Sequence, residues 1–294
     1  MILITGAAGN NGSAVVREFA RHNTPVKALV RSLDKVAALG RLPSVQLVEG
    51  DMLRPETLDA ALDGVDRVLL ISSATPQMVE TQRTFIDASK RAGVRHIVKF
   101  SGAESNLGFN SMNFRFTRMH EEIERYLEQS GLGWTHLRPS QFMQVYLREA
   151  RPIMATGALS LPLKEVKLSP VDIEDIAKVA FGLLTGNGHD GKSYDMTGPE
   201  ALSMTEIAER ISQAIGKPVR YVRISAEERR TALLASGAPP SFADAMDEQL
   251  NERLKHPQSR VYLATHEAFK VKPTTFAEFA RRHAERFRSE PMNS

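Results

Sequence analysis

The chain opens on a short apolar run, Ile2-Leu3-Ile4, and such runs recur along its first half with longer mixed stretches between them. Val26 to Val30, Val45 to Val48, Val68 to Ile71, Ile97 to Phe100 and Trp134 to Leu137 predict five further strands. The stretches between them have helical spacing. Ser13 to His22 puts Val15, Val16, Phe19 and Ala20 on one face. Pro55 to Leu62, Gln82 to Arg91 and Arg118 to Gln129 read as further helices, each with a glycine close behind it (Gly64, Gly93, Gly131). Apolar strands that alternate with helices imply a parallel sheet covered on both faces, an α/β doubly wound fold of the Rossmann type.

After about Arg138 the rhythm changes, and Pro139, Pro152, Gly157, Pro162 and Pro170 interrupt it. One helix, Ile173 to Leu184, is expected to return to the sheet. The remainder reads as mainly helical. Capping-box spacing occurs at Ser203/Glu206, Ser225/Glu228 and Thr275/Glu278, and Gly237-Ala-Pro-Pro240 breaks the long helical stretch around it. The expected organisation is a dinucleotide-binding domain over residues 1–150, to which 168–186 returns, and a smaller, mainly helical, substrate-side lobe over 151–294.

The loop Gly6-Ala7-Ala8-Gly9-Asn10-Asn11-Gly12 follows the first strand and opens the first helix. Glycine permits positive φ and close backbone approach, and a helix start offers free N–H groups and a positive dipole end to a phosphate. In this βαβ setting Gly6, Ala8, Gly9, Asn10, Asn11 and Gly12 are the candidate cradle for an NAD(P) pyrophosphate. Arg31 and Lys35, after the second strand, suit a 2′-phosphate, so NADPH is expected to be preferred over NADH. The alternative for Arg31 is a solvated arginine at a strand end. Asp51 and Met52 follow the third strand, where Asp51 either accepts from the adenine amino group or simply shapes the turn.

Composition narrows the classes. With 42% hydrophobic and 25% charged residues the 294-residue chain is ordinary for a globular protein. It has no cysteine, which excludes a disulfide, a thiolate zinc site and a cysteine nucleophile. A net charge of +3 is mild, and the basic residues are spread out, so no nucleic-acid partner is expected. The late cluster Arg281, Arg282, His283, Arg286, Arg288 reads as the solvated face of a helix packed through Phe276, Phe279, Ala280 and Phe287. No apolar run reaches the ~18 residues of a membrane span, and the apolar start is too short for a signal peptide, so a cytoplasmic location with no membrane partner is expected. Histidine spacing suggests no metal. The Gly-rich loop lacks a P-loop lysine, and there is no Gly-x-Ser-x-Gly elbow. Asp172 and Asp175, at a helix start, read as caps.

The ordered motifs resemble the short-chain dehydrogenase/reductase superfamily and, within it, the atypical NmrA-like branch. They are Gly6 to Gly12, Gly50-Asp51-Met52, Gly93-Val-Arg-His-Ile-Val-Lys-Phe-Ser101, Trp134-Thr-His-Leu-Arg-Pro139 with Phe142-Met143-Gln144, Pro170-Val-Asp172 with Asp175-Ile-Ala177, and Tyr194 to Pro199. The resemblance runs to about Phe287. It implies either an NADPH-dependent reductase of quinones, azo dyes or triphenylmethane dyes, or a protein that only senses NAD(P) and binds a protein partner.

One departure bears on mechanism. The superfamily's Tyr-x-x-x-Lys pair falls on Phe116 and His120, so a tyrosine proton donor is not carried over. His120 is the candidate catalytic residue and ribose ligand, with a contact that should strengthen on protonation, although a helix-surface histidine has the same spacing. Carbonyl reduction needs a proton delivered to a developing alkoxide. A conjugated acceptor delocalises the incoming electrons, so hydride can arrive first and water can follow with the proton, leaving the protein to orient the partners. The expected substrate is therefore a small flat aromatic or quinonoid molecule. Its candidate wall is Phe109, Phe114, Phe116, Phe142, Met143 and Tyr146, residues whose spacing also suits core positions. Ser72, Ser73, Ala74 and Ser101 follow the fourth and fifth strands, where small side chains admit the nicotinamide ribose, and Arg138-Pro139 is expected to flank the carboxamide. A homodimer is compatible with the sequence.

Overall fold

The computed structural model describes residues 1–33, 36–102 and 108–288. Lys35, one of the two expected 2′-phosphate ligands, lies outside them. The elements run β1 (Ile2–Ile4), α1 (Asn10–Arg21), β2 (Val26–Val30), α2 (Ala37–Gly40), β3 (Val45–Glu49), α3 (Asp59–Leu62), β4 (Arg67–Leu70), α4 (Met78–Arg91), β5 (His96–Phe100), α5 (Arg115–Glu128) and β6 (Gly133–Pro139). They continue with α6 (Ala150–Thr156), β7 (Ala158–Leu161), α7 (Ile173–Thr185), β8 (Lys192–Met196), α8 (Met204–Ile215), β9 (Arg220–Arg223), α9 (Ala226–Ala235), α10 (Pro240–Lys255), α11 (Ala264–Ala268), α12 (Phe276–Arg282) and α13 (Ala284–Arg288).

Seven strands form one all-parallel sheet in the order β3-β2-β1-β4-β5-β6-β8. The order reverses between β1 and β4, where chain connections diverge to opposite faces and open a crevice at the strands' carboxyl ends. Thr5, just past β1, ties the two sides of that point together: its buried Oγ1 donates to Ile71 O and accepts from Ile71 N, both at 2.7 Å. One apolar cluster packs α1 and α7 on the sheet through Val15, Phe19, Ile176 and Ala180. A second packs α3, α4 and α5 on the other face through Leu62, Phe85, Ile86 and Ile123. A third lies in the helical C-terminal region, built from Ile207, Ile211, Phe276, Phe279 and Phe287.

Three strands depart from the sequence expectation. β8 adds a seventh strand to the sheet, and β7 and β9 pair as a small parallel sheet of their own. The expected helix over Pro55 to Leu62 is two pieces, a 3-10 turn at Pro55–Thr57 and α3. All three capping boxes form, and Asp172 caps α7 through the amide of Glu174. On the basic face Arg281, Arg282, Arg286 and Arg288 are exposed, but Arg282 is also engaged. It pairs with the fully buried Asp172 and so ties α12 to the start of α7.

Among the described residues no helix is long and apolar enough to cross a membrane.

Candidate functional site

Because all seven strands run one way, the residues that follow them share one edge of the sheet. Gly6 sits there at φ +58°, a left-handed conformation that glycine adopts without strain. A Cβ on Gly12 would collide with the Gly6 carbonyl oxygen and lie 2.7 Å from its carbon and 2.9 Å from Ala7 Cα, so loop and helix touch backbone to backbone. Gly9 precedes α1 and offers no side-chain cap. The first-turn amides of α1 are therefore open to a ligand, and Ala8, Gly9 and Asn10 around them are exposed. Asn11 Oδ1 is buried with no hydrogen-bond partner, which leaves an acceptor for a ligand N–H or O–H. An exposed, uncapped helix start with a tight glycine turn fits a dinucleotide pyrophosphate.

The other expected cofactor residues lie as follows. Arg31 is exposed at the end of β2. Asp51 Oδ1 accepts from Leu53 N at 3.0 Å, and the Asp51 amide donates to Thr57 Oγ1, so one carboxylate oxygen is already used in shaping its turn. Met52 is buried in the α3/α4/α5 cluster. Ser72 Oγ accepts from Gln82 Nε2 at 2.8 Å, whereas Ser73 and Ala74 are exposed. Ser101 and Pro139 are buried. Arg138, expected to flank a carboxamide, is engaged by a carboxylate of this chain. It forms a two-pronged pair with Glu124 of α5 at 2.9 and 2.7 Å.

The expected aromatic wall divides in two. Phe109, Phe114, Met143 and Tyr146 are at most 5% exposed. Met143 and Tyr146 belong to the C-terminal core, where Tyr146 packs edge-on against Phe276. Phe142 is half-buried against Phe100. Phe116 is half-buried and lines a cleft with Ala74, Pro76, Arg115, Met119, Ser241 and Phe242. Ser241 and Phe242 belong to α10, which the sequence reading had not brought to the site. Carboxylates hold α10 there. Glu248 accepts from the Arg115 amide and guanidinium, and Glu252 accepts from Asn110 N and Asn113 Nδ2 at 3.0 Å each. Glu248 thus caps the start of α5 from another helix.

His120 lies one turn along α5 from Phe116, half-buried. Its Nδ1 stands 3.0 Å from Lys99 Nζ. Lys99 is in β5, where Ile97 and Lys99 face α5 while Val98 and Phe100 face the other way into the α1/α7 cluster. It is fully buried and also donates to Phe100 O at 3.1 Å. Burial pushes its ammonium down to about 7, against the pull of Glu124 and with the push of Arg138. Burial and the neighbouring Lys99 charge hold the His120 imidazolium well below its ordinary value. Protonation, which was expected to strengthen a ribose contact, is therefore disfavoured at His120. Next to this pair, burial pushes the Glu124 carboxyl up, but Arg138, His136 and Ser101 together hold it below its ordinary value. His136 of β6, also fully buried, meets Glu128 at 3.0 Å and is pushed down by burial.

The chain matches the NmrA-like family over residues 1–280. It is 40% identical to the NAD(P)H azoreductase of Xenophilus azovorans over 292 residues, 98% of this chain and 99% of the relative. Among solved structures, the NADPH-dependent quinone oxidoreductase QOR2 of Escherichia coli, complexed with NADPH, superposes with a TM-score of 0.84 at 28% identity, covering 96% of this chain and 99% of that one. The triphenylmethane reductase of Citrobacter sp., complexed with NADP(H), shares the fold at a TM-score of 0.84 and 24% identity, over 97% of this chain and 100% of that one. With its glycine loop, parallel sheet and near full-length match, the chain belongs to the NmrA-like family.

Proposed function

We propose that this protein is an NAD(P)H-dependent reductase that passes hydride to a flat conjugated acceptor of the quinone, azo or triphenylmethane type. The observation that carries the reading is the juxtaposition at one sheet edge of an open phosphate cradle, Gly6 to Gly12, and a cleft walled by Phe116, Met119 and Phe242. The relatives named above, reductases of azo compounds, quinones and triphenylmethane dyes, support it. The first-turn amides of α1 would hold the pyrophosphate, and Asn11 Oδ1 would accept from the ligand. When bound, the reduced nicotinamide supplies the hydride. Phe116 and Phe242 would align the acceptor plane by stacking, which needs no covalent chemistry from the protein. With Phe116 in the tyrosine position, no phenol stands ready to donate a proton there.

Turnover tests this. Purified protein mixed with NADPH and either 1,4-naphthoquinone or methyl red should consume the nicotinamide absorbance, with saturation in both substrates. Nucleotide binding by calorimetry without consumption above background would sink the enzyme reading in favour of a dinucleotide-sensing role.

NADPH is expected to bind more tightly than NADH, through Arg31 at the end of β2. A charge-assisted contact is worth about 1.5–3 kcal/mol. Arg31→Ala should therefore weaken NADPH by roughly tenfold or more, since 1.4 kcal/mol is one decade, and leave NADH nearly unchanged. Calorimetric titration with both nucleotides decides it. An undiminished preference in Arg31→Ala would mean that the side chain is merely solvated.

A further inference from the structure

A fully buried lysine in a strand covered on both faces is unusual, because a buried ammonium is costly unless its surroundings put it to use. Lys99 is such a residue: 0% exposed, in the parallel strand β5, with neighbours β4 and β6 on either side. Its Nζ reaches two acceptors, Phe100 O and His120 Nδ1. An ammonium carries three hydrogens and no lone pair, so it can only donate. While Lys99 carries its proton, Nδ1 is therefore the bare nitrogen of the imidazole, and the ring hydrogen sits on Nε2. Among the described residues Nε2 takes no hydrogen-bond partner, and the ring is half-buried at the sheet edge where the cofactor cradle lies.

We propose that Lys99 is the positioning and proton-supplying partner of His120, holding the imidazole as its Nε2–H tautomer and replacing the proton that Nε2 gives to the reduced acceptor. The second half rests on the reductase reading. Protons balance as follows. Once hydride has reached a quinone or azo acceptor, its anionic oxygen or nitrogen takes the Nε2 hydrogen. Nδ1 takes one from the Lys99 ammonium, which becomes a neutral amine. After the product leaves, solvent returns the proton through the same ring. No electron moves in this relay.

The depressed Lys99 value suits the task, since an ordinary lysine would not part with its proton at neutral pH. Burial sets the Lys99 balance first, and the charges around it adjust it: Glu124 on α5 favours the ammonium and Arg138 on β6 opposes it, while His120 and His136 nearby are themselves pushed down by burial.

The test pairs a spectroscopic arm with a kinetic one. In ¹⁵N-histidine-labelled wild-type protein at pH 6, the His120 signal, assigned by its loss in His120→Gln, should show Nε2 protonated and Nδ1 bare. In Lys99→Met the tautomers should mix. With NADPH and 1,4-naphthoquinone, wild-type kcat should fall as pH rises through about 7, where the ammonium is lost. Lys99→Met should lack that limb and run at least about tenfold slower at pH 6, with KM for NADPH little changed, in line with the ~10²–10⁴ of general acid catalysis. A lysine that served only structure would lower the melting temperature when replaced. Here Lys99→Met should melt higher below pH 7, because a depressed lysine pKa costs stability while the group is charged.

An Nδ1–H or doubly protonated His120 in the wild type would overturn the positioning role. An unchanged pH profile in Lys99→Met would overturn the proton supply. If the wild type consumes no NADPH with any acceptor, the proton supply falls together with the reductase reading, and the tautomer measurement alone decides the positioning role.

Discussion

Gly12→Ala is expected to weaken NADPH binding by at least roughly a hundredfold, about 2.7 kcal/mol. The reason is backbone. The added methyl would run into the Gly6 carbonyl and crowd Ala7 Cα, and none of these atoms can rotate aside as a side chain could. Gly6 itself lies beside Ile71, whose carbonyl and amide are held by Thr5. The remaining relief is for the start of α1 to lift off the loop. That movement carries the Asn10, Asn11 and Gly12 amides away from where a phosphate sits, and each charge-assisted bond lost is worth about 1.5–3 kcal/mol. Overpacking alone should lower stability by about 1–3 kcal/mol, so the folded fraction needs a parallel check by thermal unfolding. Calorimetry at a temperature where both proteins are folded makes the comparison. A Kd within threefold of the wild type would mean that the phosphates are held elsewhere.

The same loop shows why one part of the site was legible in the sequence. A glycine triplet between a strand and a helix is a local pattern, and its consequence, an uncapped helix start behind a tight turn, is local too. The strands of the first half were legible for a related reason. Strands buried on both faces must be apolar throughout, as Val26–Val30 and His96–Phe100 nearly are. β8 and β9 escaped because they need not be apolar. Lys192–Met196 is a sheet edge with its first two residues exposed, and Arg220–Arg223 is half-exposed along its length. What makes them strands is the partner that receives them, β6 for one and β7 for the other.

Long-range polar contacts were illegible in the same way. Phe116 and His120 were placed by spacing along one helix, but the His120 imidazolium is held down by its burial and by Lys99, 21 residues earlier on another element. Arg138 was expected to flank the carboxamide, and nothing along its own strand announced the pairing with Glu124 across the α5–β6 interface. A signal for Lys99 did exist in His96-Ile-Val-Lys-Phe100. A charge inside an otherwise buried strand demands a partner, and alternation along the strand names the face on which to look for it. Ser241 and Phe242 carried no such signal, since α10 reaches the cleft only through Glu248 and Glu252 gripping the start of α5.

The Glu124–Arg138 pair makes the second large expectation. Both side chains are mostly enclosed, at 8% and 20% exposed, and they meet through two hydrogen bonds. Breaking a buried pair by removing one charge typically costs about 3–5 kcal/mol, because the other charge stays behind uncompensated. Glu124→Gln keeps the shape and one acceptor, which argues for the lower end, about 3 kcal/mol, or roughly 6–12 °C in Tm for a chain of this size. The pH dependence has a definite sign. The Glu124 carboxyl is held below its ordinary 4.5, so the pair's contribution is complete above about pH 4.5 and is lost as pH falls through the lower folded value. Urea unfolding of wild type and variant should therefore differ most at neutral pH and converge on acidification. Glu124 is also the carboxylate that favours the Lys99 ammonium. Without it Lys99 gives up its proton at lower pH, and the alkaline limb of turnover should move below that of the wild type. A stability gap that stays constant as the pH is lowered would show that the loss is one of packing and not of charge. A limb that does not move would separate Glu124 from the proton chemistry of Lys99 and His120.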